Sequence, residues 1–369
     1  MIPLIDIVRQ HQTLKGEMER AVGAVLNQGQ FILGPNCQSL EQEIADYCGT
    51  RYGIGVNSGT DALFLALHAL GVREGDEVIT SPYTFFATIE AIVHTGARPV
   101  LVDIDPHHYN LDPEQVEQAI TPRTKAILPV HLFGYPADMK SLSSIARRYG
   151  LHLVEDACQA IGAEIGGKPV GSWGDVGCFS FYPTKNLGGV GDGGIITTSD
   201  PELCERLRRL RTHGTYRKYH HSCFGFNSRL DEIQAAILRV KLKHLPKWNL
   251  RRRALARRYR EAFRGLPLQL PSESPRVTPT YHLYVVQTPH SVSLKQWLLD
   301  RGIGCEIYYP MPLHHQRAWN DRFPVPSLPR AEAVAGTTLA LPIYPELSDA
   351  EQETIIKAVV RFFKEEKAR

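Results

Sequence analysis

The pattern of apolar and polar positions alternates between two periods from about residue 37 to residue 245. Runs with the 3.6-residue period of a helix separate short apolar segments that have the length of buried strands. Because such alternation favours a parallel sheet covered by helices, this region predicts an α/β fold. The strand candidates are YGIGVN (52–57), DEVITS (76–81), RPVLVDI (98–104), AILPVHL (126–132), LHLVED (151–156), GCFSFY (177–182) and GGIITT (193–198).

Only a glycine-rich loop separates the last two of these segments. A connection this short has no room for the crossover that parallel neighbours need, so the pair is expected to be antiparallel. The sequence therefore predicts a mostly parallel seven-stranded sheet that contains this antiparallel pair.

A long helical pattern begins at Leu230, in LDEIQAAILRVKLKHLPKWNLRRRALARRY. Pro246 is expected to kink or divide it, because proline lacks an N–H and clashes with the preceding turn. We place a domain boundary there: residues 1–245 form an N-terminal arm and a large domain, and residues 246–369 form a smaller α+β domain. Its predicted elements are strands YHLYVVQT (281–288) and CEIYYP (305–310) and a terminal helix over 348–365.

Composition limits the class of partner. The chain has 42 basic and 39 acidic residues, and the resulting net charge of +3 is too small to indicate a nucleic-acid partner. Seven cysteines without a CxxC pair suggest neither a disulfide framework nor a zinc site, and we expect no bound metal. No window reaches ~18 uninterrupted apolar residues, so we expect no membrane partner and a cytoplasmic protein.

The stretch GVNSGTDALFLALHAL (55–70) places Ser58, Gly59 and Thr60 between a strand end and the first turn of a helix. Free backbone N–H groups and the helix dipole at that point favour an anion such as phosphate, and Gly59 lets it approach the backbone. The alternative is that Ser58 simply caps the helix. The motif by itself does not decide between them.

Two carboxylates, Glu155 and Asp156, end the predicted strand LHLVED. The carboxyl edge of a parallel sheet is where α/β proteins bind ligands, which directs Asp156 toward a site. Glu155 is expected to face the other way, because strand side chains alternate. A buried carboxylate at this edge needs a cationic or hydrogen-bonding partner. The alternative for Asp156 is a helix cap.

Lys185 lies in GCFSFYPTKNLGGVGDGG (177–194), between a strand and a glycine loop. A lysine held in a partly dry site has a lowered pKa and becomes a usable amine nucleophile, as Schiff-base chemistry requires. A phosphate-binding helix start, a carboxylate suited to a protonated ring nitrogen and this amine together fit pyridoxal phosphate. An NAD site does not fit, because GVGDGG (189–194) lies between two strands instead of opening a helix.

Eight motifs occur in order along nearly the whole chain: GQFILGPNCQSLEQEIADYCG (29–49), VNSGTDAL (56–63), GDEVITSPYTFFAT (75–88), VEDACQAIGA (154–163), FSFYPTKNLG (179–188), GDGG (191–194), GFNSRLDEIQAA (225–236) and YYPMPLH (308–314). Together they closely resemble the DegT or StrS family of nucleotide-sugar aminotransferases, which are pyridoxal-phosphate enzymes of fold type I. The resemblance implies that Lys185 holds the cofactor as an internal aldimine and that Asp156 pairs with the pyridinium nitrogen. It also implies that Gln159 lies by the ring and that Phe85 stacks on it, with Phe86 as the competitor for that role.

The same resemblance implies a phosphate site formed by Ser180 with Gly59 and Thr60. Asn227 would reach that phosphate from the neighbouring subunit, which implies a homodimer with shared active sites. L-Glutamate would donate the amino group to make pyridoxamine phosphate, with Lys185 as general base and acid, and a nucleotide-linked keto sugar would then receive it.

The segment RKYHH (217–221) and the helix after it resemble the branch that acts on 3-keto sugars. Arg229 is expected to approach the substrate from the partner subunit, and Tyr308, Tyr309 and His314 to line the sugar site, unless these three only pack the small domain. Tyr308 departs from the histidine common in related 3-aminotransferases. A 4-keto-sugar aminotransferase, a pyridoxal-phosphate sugar dehydratase and a non-catalytic regulatory protein that carries the cofactor are the alternatives. Related dehydratases replace the lysine with histidine, so Lys185 favours transamination.

Overall fold

The computed structural model describes residues 1–366 and has a seven-stranded sheet at its centre. The strands along the chain are β1 (Tyr52–Val56), β2 (Glu77–Thr80), β3 (Arg98–Leu101), β4 (Thr124–Leu128), β5 (His152–Asp156), β6 (Glu164–Ile165), β7 (Lys168–Pro169), β8 (Val176–Ser180), β9 (Gly194–Thr198), β10 (Thr215–Arg217), β11 (His220–His221), β12 (Val277–Thr278), β13 (Tyr284–Gln287) and β14 (Thr338–Leu341). The central sheet has the order β1-β9-β8-β5-β4-β2-β3.

Six strands of the central sheet run in one direction and β9 runs against them. β9 pairs antiparallel with both β1 and β8, whereas the other neighbours are parallel. Each of the seven predicted segments overlaps one strand of this sheet. The predicted α/β fold and the predicted antiparallel pair are therefore confirmed.

Helices cover the sheet. They are α1 (Ile7–Gln28), α2 (Pro35–Cys48), α3 (Gly59–Ala69), α4 (Ala87–His94), α5 (Pro113–Gln118), α6 (Met139–Tyr149), α7 (Pro201–Leu210), α8 (Glu232–Leu242), α9 (Leu245–Phe263), α10 (Ser291–Leu299), α11 (Arg317–Asn320), α12 (Pro329–Val334) and α13 (Asp349–Glu366). Within residues 1–366, none of these helices combines the length and the apolar character needed to cross a membrane.

The central sheet is buried on both faces. On one face Cys178 and Ile196 join a hydrophobic core with α3, α4 and α7. On the other face their chain neighbours Phe179 and Ile195 join a core with α2 and α8. Because successive strand residues point to opposite faces, both cores need apolar residues at adjacent positions. This explains the nearly continuous apolar runs in the strand sequences, and it leaves the ends of the strands as the place for polar chemistry.

The helical pattern that begins at Leu230 forms two helices, α8 and α9. Pro246 lies in the first turn of α9, where its missing N–H removes no hydrogen bond. The prediction that it divides the helix is confirmed. A separate hydrophobic core formed by α9, α10, α13, β13 and β14 supports the domain boundary at residue 245, which stays a prediction.

The predicted strand over 281–288 contains β13, and the predicted terminal helix is α13. The predicted strand over 305–310 is wrong. In that segment Glu306 makes only an isolated bridge, to Ala340. The carbonyl of Tyr308 instead accepts hydrogen bonds from the side chains of Tyr83 and Thr338, both at 2.7 Å. Side chains thus take the place of a neighbouring strand.

Lys241 on α8 is fully buried and joins three parts of the chain. Its Nζ donates to the carbonyl of Gly188 at 2.6 Å and lies 3.0 Å from His11 Nε2 on α1. Burial lowers the pKa of Lys241 to about 8. Burial and the Lys241 charge lower the pKa of His11, so its Nε2 lone pair remains an acceptor. Lys241 therefore fastens the glycine loop and the N-terminal helix to α8.

We expect the substitution Lys241→Met to remove a rise in the free energy of unfolding between about pH 8 and pH 10.5. In that window the unfolded chain still holds the lysine proton and the folded chain does not, so stability rises with pH. The difference between the two pKa values corresponds to about 3 kcal/mol. Urea unfolding across the window measures it, with exposed Lys243→Met as the control. Equal slopes in the two variants would contradict the prediction.

Candidate active site

Parallel strands bring most of the predicted site residues to one edge of the central sheet. Gly59 follows β1, Phe85 follows β2, Asp156 ends β5 and Ser180 ends β8. These four strands run in the same direction, so their carboxyl ends share an edge. Lys185 lies in the turn after β8.

The Lys185 side chain is half-buried. Its backbone N–H donates to the carbonyl of Tyr182 at 2.8 Å, which fixes the turn. Burial lowers the pKa of the Lys185 amine below its ordinary value, and the nearby Cys158 and Asp156 act in the opposite direction. The amine therefore loses its proton more readily than a solvated lysine, as the predicted nucleophile requires.

Asp156 is buried, and each of its carboxylate oxygens accepts a hydrogen bond. Oδ2 accepts from the Thr88 hydroxyl at 2.9 Å, and Oδ1 accepts from the Cys158 N–H at 3.2 Å. Thr84 Oγ1 lies 3.1 Å from Thr88 Oγ1 and continues the chain of hydroxyl groups. The alternative role as a helix cap is wrong, because the next helix along the chain, α7, begins only at Pro201.

Glu155 is fully buried on the other side of the strand, as predicted from the alternation. Its carboxylate accepts three backbone N–H groups from the loop 171–174 at 2.7 to 2.9 Å. His131 Nε2 lies 3.0 Å from the same carboxylate, and His131 Nδ1 accepts the N–H of Ala137 at 3.0 Å. The Glu155–His131 pair therefore holds the loops behind the site together, and His131 is a structural residue.

The start of α3 and the end of β8 form a small polar cradle from Gly59, Thr60 and Ser180. Ser58 Oγ accepts the N–H of Asp61 at 3.0 Å, so Ser58 does cap the helix. The N–H groups of Gly59 and Thr60 remain at the open helix end. A Cβ atom on Gly59 would lie 2.6 Å from Ser180 Cβ, so only glycine fits there. The cap and the anion site are therefore compatible.

Gln159 is held in one orientation beside this edge. Its Oε1 accepts the N–H of Phe133 at 2.7 Å, and its Nε2 donates to Tyr309 Oη at 3.3 Å. The Tyr309 ring stacks on Phe133 with centroids 6.2 Å apart. Burial raises the pKa of the Tyr309 hydroxyl, which therefore stays protonated. The structure thus brings the predicted residues Gln159 and Tyr309 together.

The two candidate stacking residues differ in environment. The Phe85 side chain is 60% exposed. Phe86 is half-buried and packs against the core that contains Tyr83 and Leu313. Of the two rings, Phe85 is the one that a flat ligand can cover, although its stacking role stays a prediction.

Asn227 is exposed and Arg229 is half-buried. Ser228, which lies between them, accepts the N–H of Asn57 at 3.2 Å and donates to Asp61 Oδ2 at 2.6 Å. The segment that carries both residues therefore runs beside the start of α3 in the same chain. Their predicted roles across a subunit interface stay predictions.

The remaining predicted residues lie outside the sheet. Tyr308 is half-buried, and its backbone is fixed by Tyr83. His314 is fully buried, and its Nε2 lies 3.1 Å from Glu332 Oε1. The structure therefore does not bring the His314 side chain to a surface where a sugar could contact it, and the packing alternative fits its position.

His314, His315 and Glu332 form the one group within residues 1–366 that could offer three ligand atoms to a metal, with those atoms within 4.8 Å of one another. His314 Nε2 and Glu332 Oε1 already face each other at 3.1 Å. The expectation that the protein needs no metal stays a prediction.

Sequence reasoning missed the groups that support the predicted residues. Thr88 holds Asp156, and Phe133 orients Gln159. Asn186 and His282 form a buried pair next to Lys185. Thr88 lies in the motif GDEVITSPYTFFAT (75–88), and the available signal was its spacing of four residues from the hydroxyl group of Thr84. His282 had no local signal.

A half-buried lysine with a lowered pKa, a buried carboxylate and an open helix start at the carboxyl edge of a mostly parallel sheet define an aminotransferase fold of type I. A family model described as the DegT/DnrJ/EryC1/StrS aminotransferase family matches residues 12–360. The chain belongs to this family.

Individual relatives match along nearly their whole length. The chain is 48% identical to a dTDP-3-amino-3,4,6-trideoxy-alpha-D-glucose transaminase of Streptomyces venezuelae, over 97% of this chain and 95% of that protein. It is 46% identical to a UDP-N-acetyl-3-dehydro-alpha-D-glucosamine 3-aminotransferase of Acidithiobacillus ferrooxidans, over 98% of this chain and 97% of that protein. The crystal structure of S. venezuelae DesV in complex with a ketimine intermediate superimposes with a TM-score of 0.96 at 48% identity, covering 98% of both chains.

We expect Gly59→Ala to lower the free energy of unfolding by about 1–3 kcal/mol, because the new methyl group overpacks the contact with Ser180. Adding Ser180→Gly removes the Ser180 side chain and should recover part of the loss, although Cys158 Sγ remains 3.0 Å from the added atom. Urea unfolding of the two single variants and the double variant measures both effects. Additive losses would show that the two positions do not touch.

Proposed function

We propose that the protein is a pyridoxal-phosphate-dependent aminotransferase that moves an amino group from L-glutamate to a nucleotide-linked 3-keto sugar. The observation that carries the proposal is the half-buried amine of Lys185, with a lowered pKa, within the influence of the Asp156 carboxylate. The names of the relatives from S. venezuelae and A. ferrooxidans support amination at carbon 3. They differ in the nucleotide, so the proposal covers both dTDP and UDP sugars.

The residues at the sheet edge fit pyridoxal phosphate. The cradle of Gly59, Thr60 and Ser180 offers the N–H groups of an open helix start, as a phosphate needs, and a Cβ on Gly59 would collide with Ser180. Phe85 offers an exposed aromatic face to a ring. When bound, the cofactor supplies an electron sink that makes a bond at the amino-bearing carbon easier to break.

The chain's own residues orient and exchange protons around that group. Asp156 is held by Thr88 and Cys158 and retains lone pairs for a protonated ring nitrogen. Gln159, fixed by Phe133, borders the ring. Lys185 Nζ, which loses its proton readily, is the base that would take the proton from the amino-bearing carbon of the donor and, in a 1,3-shift, return it two atoms further along.

Residues outside the sheet bind the sugar in this proposal. Tyr309 connects to Gln159 through its hydroxyl and so reaches toward the reacting end of the substrate. Tyr308 and Arg229, both half-buried, are the candidates for its substituents and its phosphates. His314 contributes packing through Glu332 and is not part of the proposed sugar site.

A homodimer with shared sites belongs to the proposal. Asn227 is exposed, so its side chain is available to a second chain that packs beside it. We also propose a cytoplasmic location, since the seven cysteines are all free thiols and suit a reducing compartment.

Three alternatives remain to be tested against this function. A 4-keto-sugar aminotransferase would use the same amine and differ only in the sugar site. A sugar dehydratase is disfavoured by the presence of Lys185 itself, because related dehydratases have histidine there. A regulatory protein would carry the cofactor without turning over an amino donor.

We expect the purified protein to absorb in the visible range, to lose that band when L-glutamate is added, and to lack the band altogether in Lys185→Ala. The band requires the cofactor on the lysine nitrogen, and glutamate converts the cofactor to its amine form. Absorbance spectra before and after glutamate measure this. Lys168→Ala is the control, because Lys168 is an exposed lysine. A band that survives in Lys185→Ala overturns the assignment, and a band that no amino acid changes favours the regulatory alternative.

The same preparation identifies the sugar. Mass spectrometry of products from UDP- and dTDP-linked 3-keto and 4-keto sugars should show a gain of an amino group only with the 3-keto compounds. Amination only of the 4-keto compounds contradicts the carbon assignment, and loss of water without amination identifies a dehydratase.

A mixed dimer tests the shared site. One chain carries Lys185→Ala and the other Asn227→Ala. If Asn227 serves the neighbouring chain, one of the two sites keeps both residues, and about half of the unmodified activity remains. If Asn227 serves its own chain, each site lacks one residue. Activity no higher than that of the Asn227→Ala homodimer would then exclude sharing.

A further inference from the structure

Asn186, the residue after Lys185, is buried and connects the lysine turn to two distant segments. Its Nδ2 donates to Asn249 Oδ1 on α9 at 2.9 Å and to the carbonyl of Thr280 at 3.2 Å. Its Oδ1 lies 3.3 Å from Nδ1 of His282, which is also buried.

The orientation of every group in this cluster follows from its neighbours. Asn249 Nδ2 donates to the carbonyl of Ile161 at 3.0 Å, so Asn249 must present its oxygen to Asn186. Asn186 must then present Nδ2 to Asn249 and Oδ1 to His282. Because Oδ1 is only an acceptor, His282 must carry a proton on Nδ1.

His282 is neutral in this arrangement. Burial, and then the charges of Lys185 and Arg252, hold its pKa well below the ordinary value. A neutral ring with its proton on Nδ1 donates one hydrogen bond, to Asn186, and places no positive charge beside the Lys185 amine.

The backbone around His282 is itself fixed. Arg252 Nη1 donates to the carbonyls of Tyr281, His282 and Ile343 at 2.7 to 3.3 Å. On the other side, the N–H of Thr280 donates to the carbonyl of Gly134 at 3.0 Å. The backbone of His282 is therefore held in place by hydrogen bonds on both sides, so its ring can position the Asn186 amide. His282 also lies close enough to Lys185 for the lysine charge to lower its pKa.

We propose that His282 and Asn186 are positioning residues for Lys185: the Nδ1–H of His282 fixes the Asn186 amide, and Asn186 fixes the turn that aims the lysine amine. The inference rests on the proposed function, in which Lys185 is the reacting amine. It assigns to His282 a hydrogen bond to Asn186, without direct contact with substrate.

The test compares two amide replacements of the same histidine in the holoenzyme. In His282→Asn the side-chain nitrogen occupies the place of Nδ1 and keeps the hydrogen bond to Asn186. In His282→Gln the nitrogen occupies the place of Nε2 and the bond is lost. Ser291→Ala, which removes the buried hydrogen bond of Ser291 Oγ to the carbonyl of Gly336, is the control for a loss of stability alone.

We expect His282→Gln to lower kcat by about 10- to 100-fold with a nearly unchanged KM for the keto sugar, because a misplaced reacting group costs rate more than binding. The pH midpoint of the visible band should shift, and hydrogen exchange at the Lys185 N–H should become faster. His282→Asn should restore all three properties. Asn186→Ala should match His282→Gln.

Ser291→Ala should lower only the melting temperature. If His282→Gln, like Ser291→Ala, lowers only the melting temperature, the inference is overturned. It is also overturned if His282→Gln keeps normal activity and His282→Asn does not. If His282→Gln does not fold, Asn186→Ala takes its place in the comparison with Ser291→Ala. An unmodified chain without a lysine-dependent band would instead refute the proposed function, so the two failures can be told apart.

Discussion

The active site depends on the close approach of β9 to the start of α3. β9 runs antiparallel between β1 and β8, so the two strands that supply the helix start and the lysine turn are not neighbours. The start of α3 nevertheless lies close to β9, because Gly194 packs against the Ser58 carbonyl. A Cβ atom at residue 194 would be only 2.3 Å from that oxygen. Any side chain at residue 194 would push β9 away from the start of α3. Glycine at residue 194 is therefore a requirement of the sheet order, and the loop before it returns the chain after the lysine.

Two buried carboxylates point to opposite sides of the end of β5, and they differ in how fully their oxygens are hydrogen-bonded. Glu155 is enclosed by three N–H groups and His131, so its charge is stabilised inside the protein and offers little to a ligand. Asp156 has one hydrogen bond to each oxygen and keeps lone pairs on the side of the site. Because an ionised group without partners is costly to bury, this difference separates a structural carboxylate from one that is poised to bind a cation.

The sequence predicted the seven central strands because burial on both faces makes their apolar runs nearly continuous, as at Cys178 and Phe179. It failed at residues 305–310, where an equally apolar run is bound by side chains of Tyr83 and Thr338. The positions of Lys185 and Asp156 at the sheet edge were predictable from flanking residues and from family motifs. Their supports were not, since Thr88 is 68 positions from Asp156 and His282 is 96 positions from Asn186. The direction of the His314 ring likewise depends on Glu332, 18 positions away.

In the proposed function, the residues for the chemistry and the residues for the choice of sugar lie on different kinds of structure. Lys185, Asp156 and the cradle lie at the ends of strands whose register is fixed by pairing on both sides and by two hydrophobic cores. Tyr308 and Arg229 lie on segments outside the sheet, which are held by a few side-chain hydrogen bonds. Changes in such segments alter the shape of a site without moving the reacting atoms. Two relatives of nearly equal identity to this chain are named for different nucleotide sugars. We therefore expect the sugar specificity of this chain to depend on Tyr308 and Arg229 and its reaction type to depend on the residues at the sheet edge.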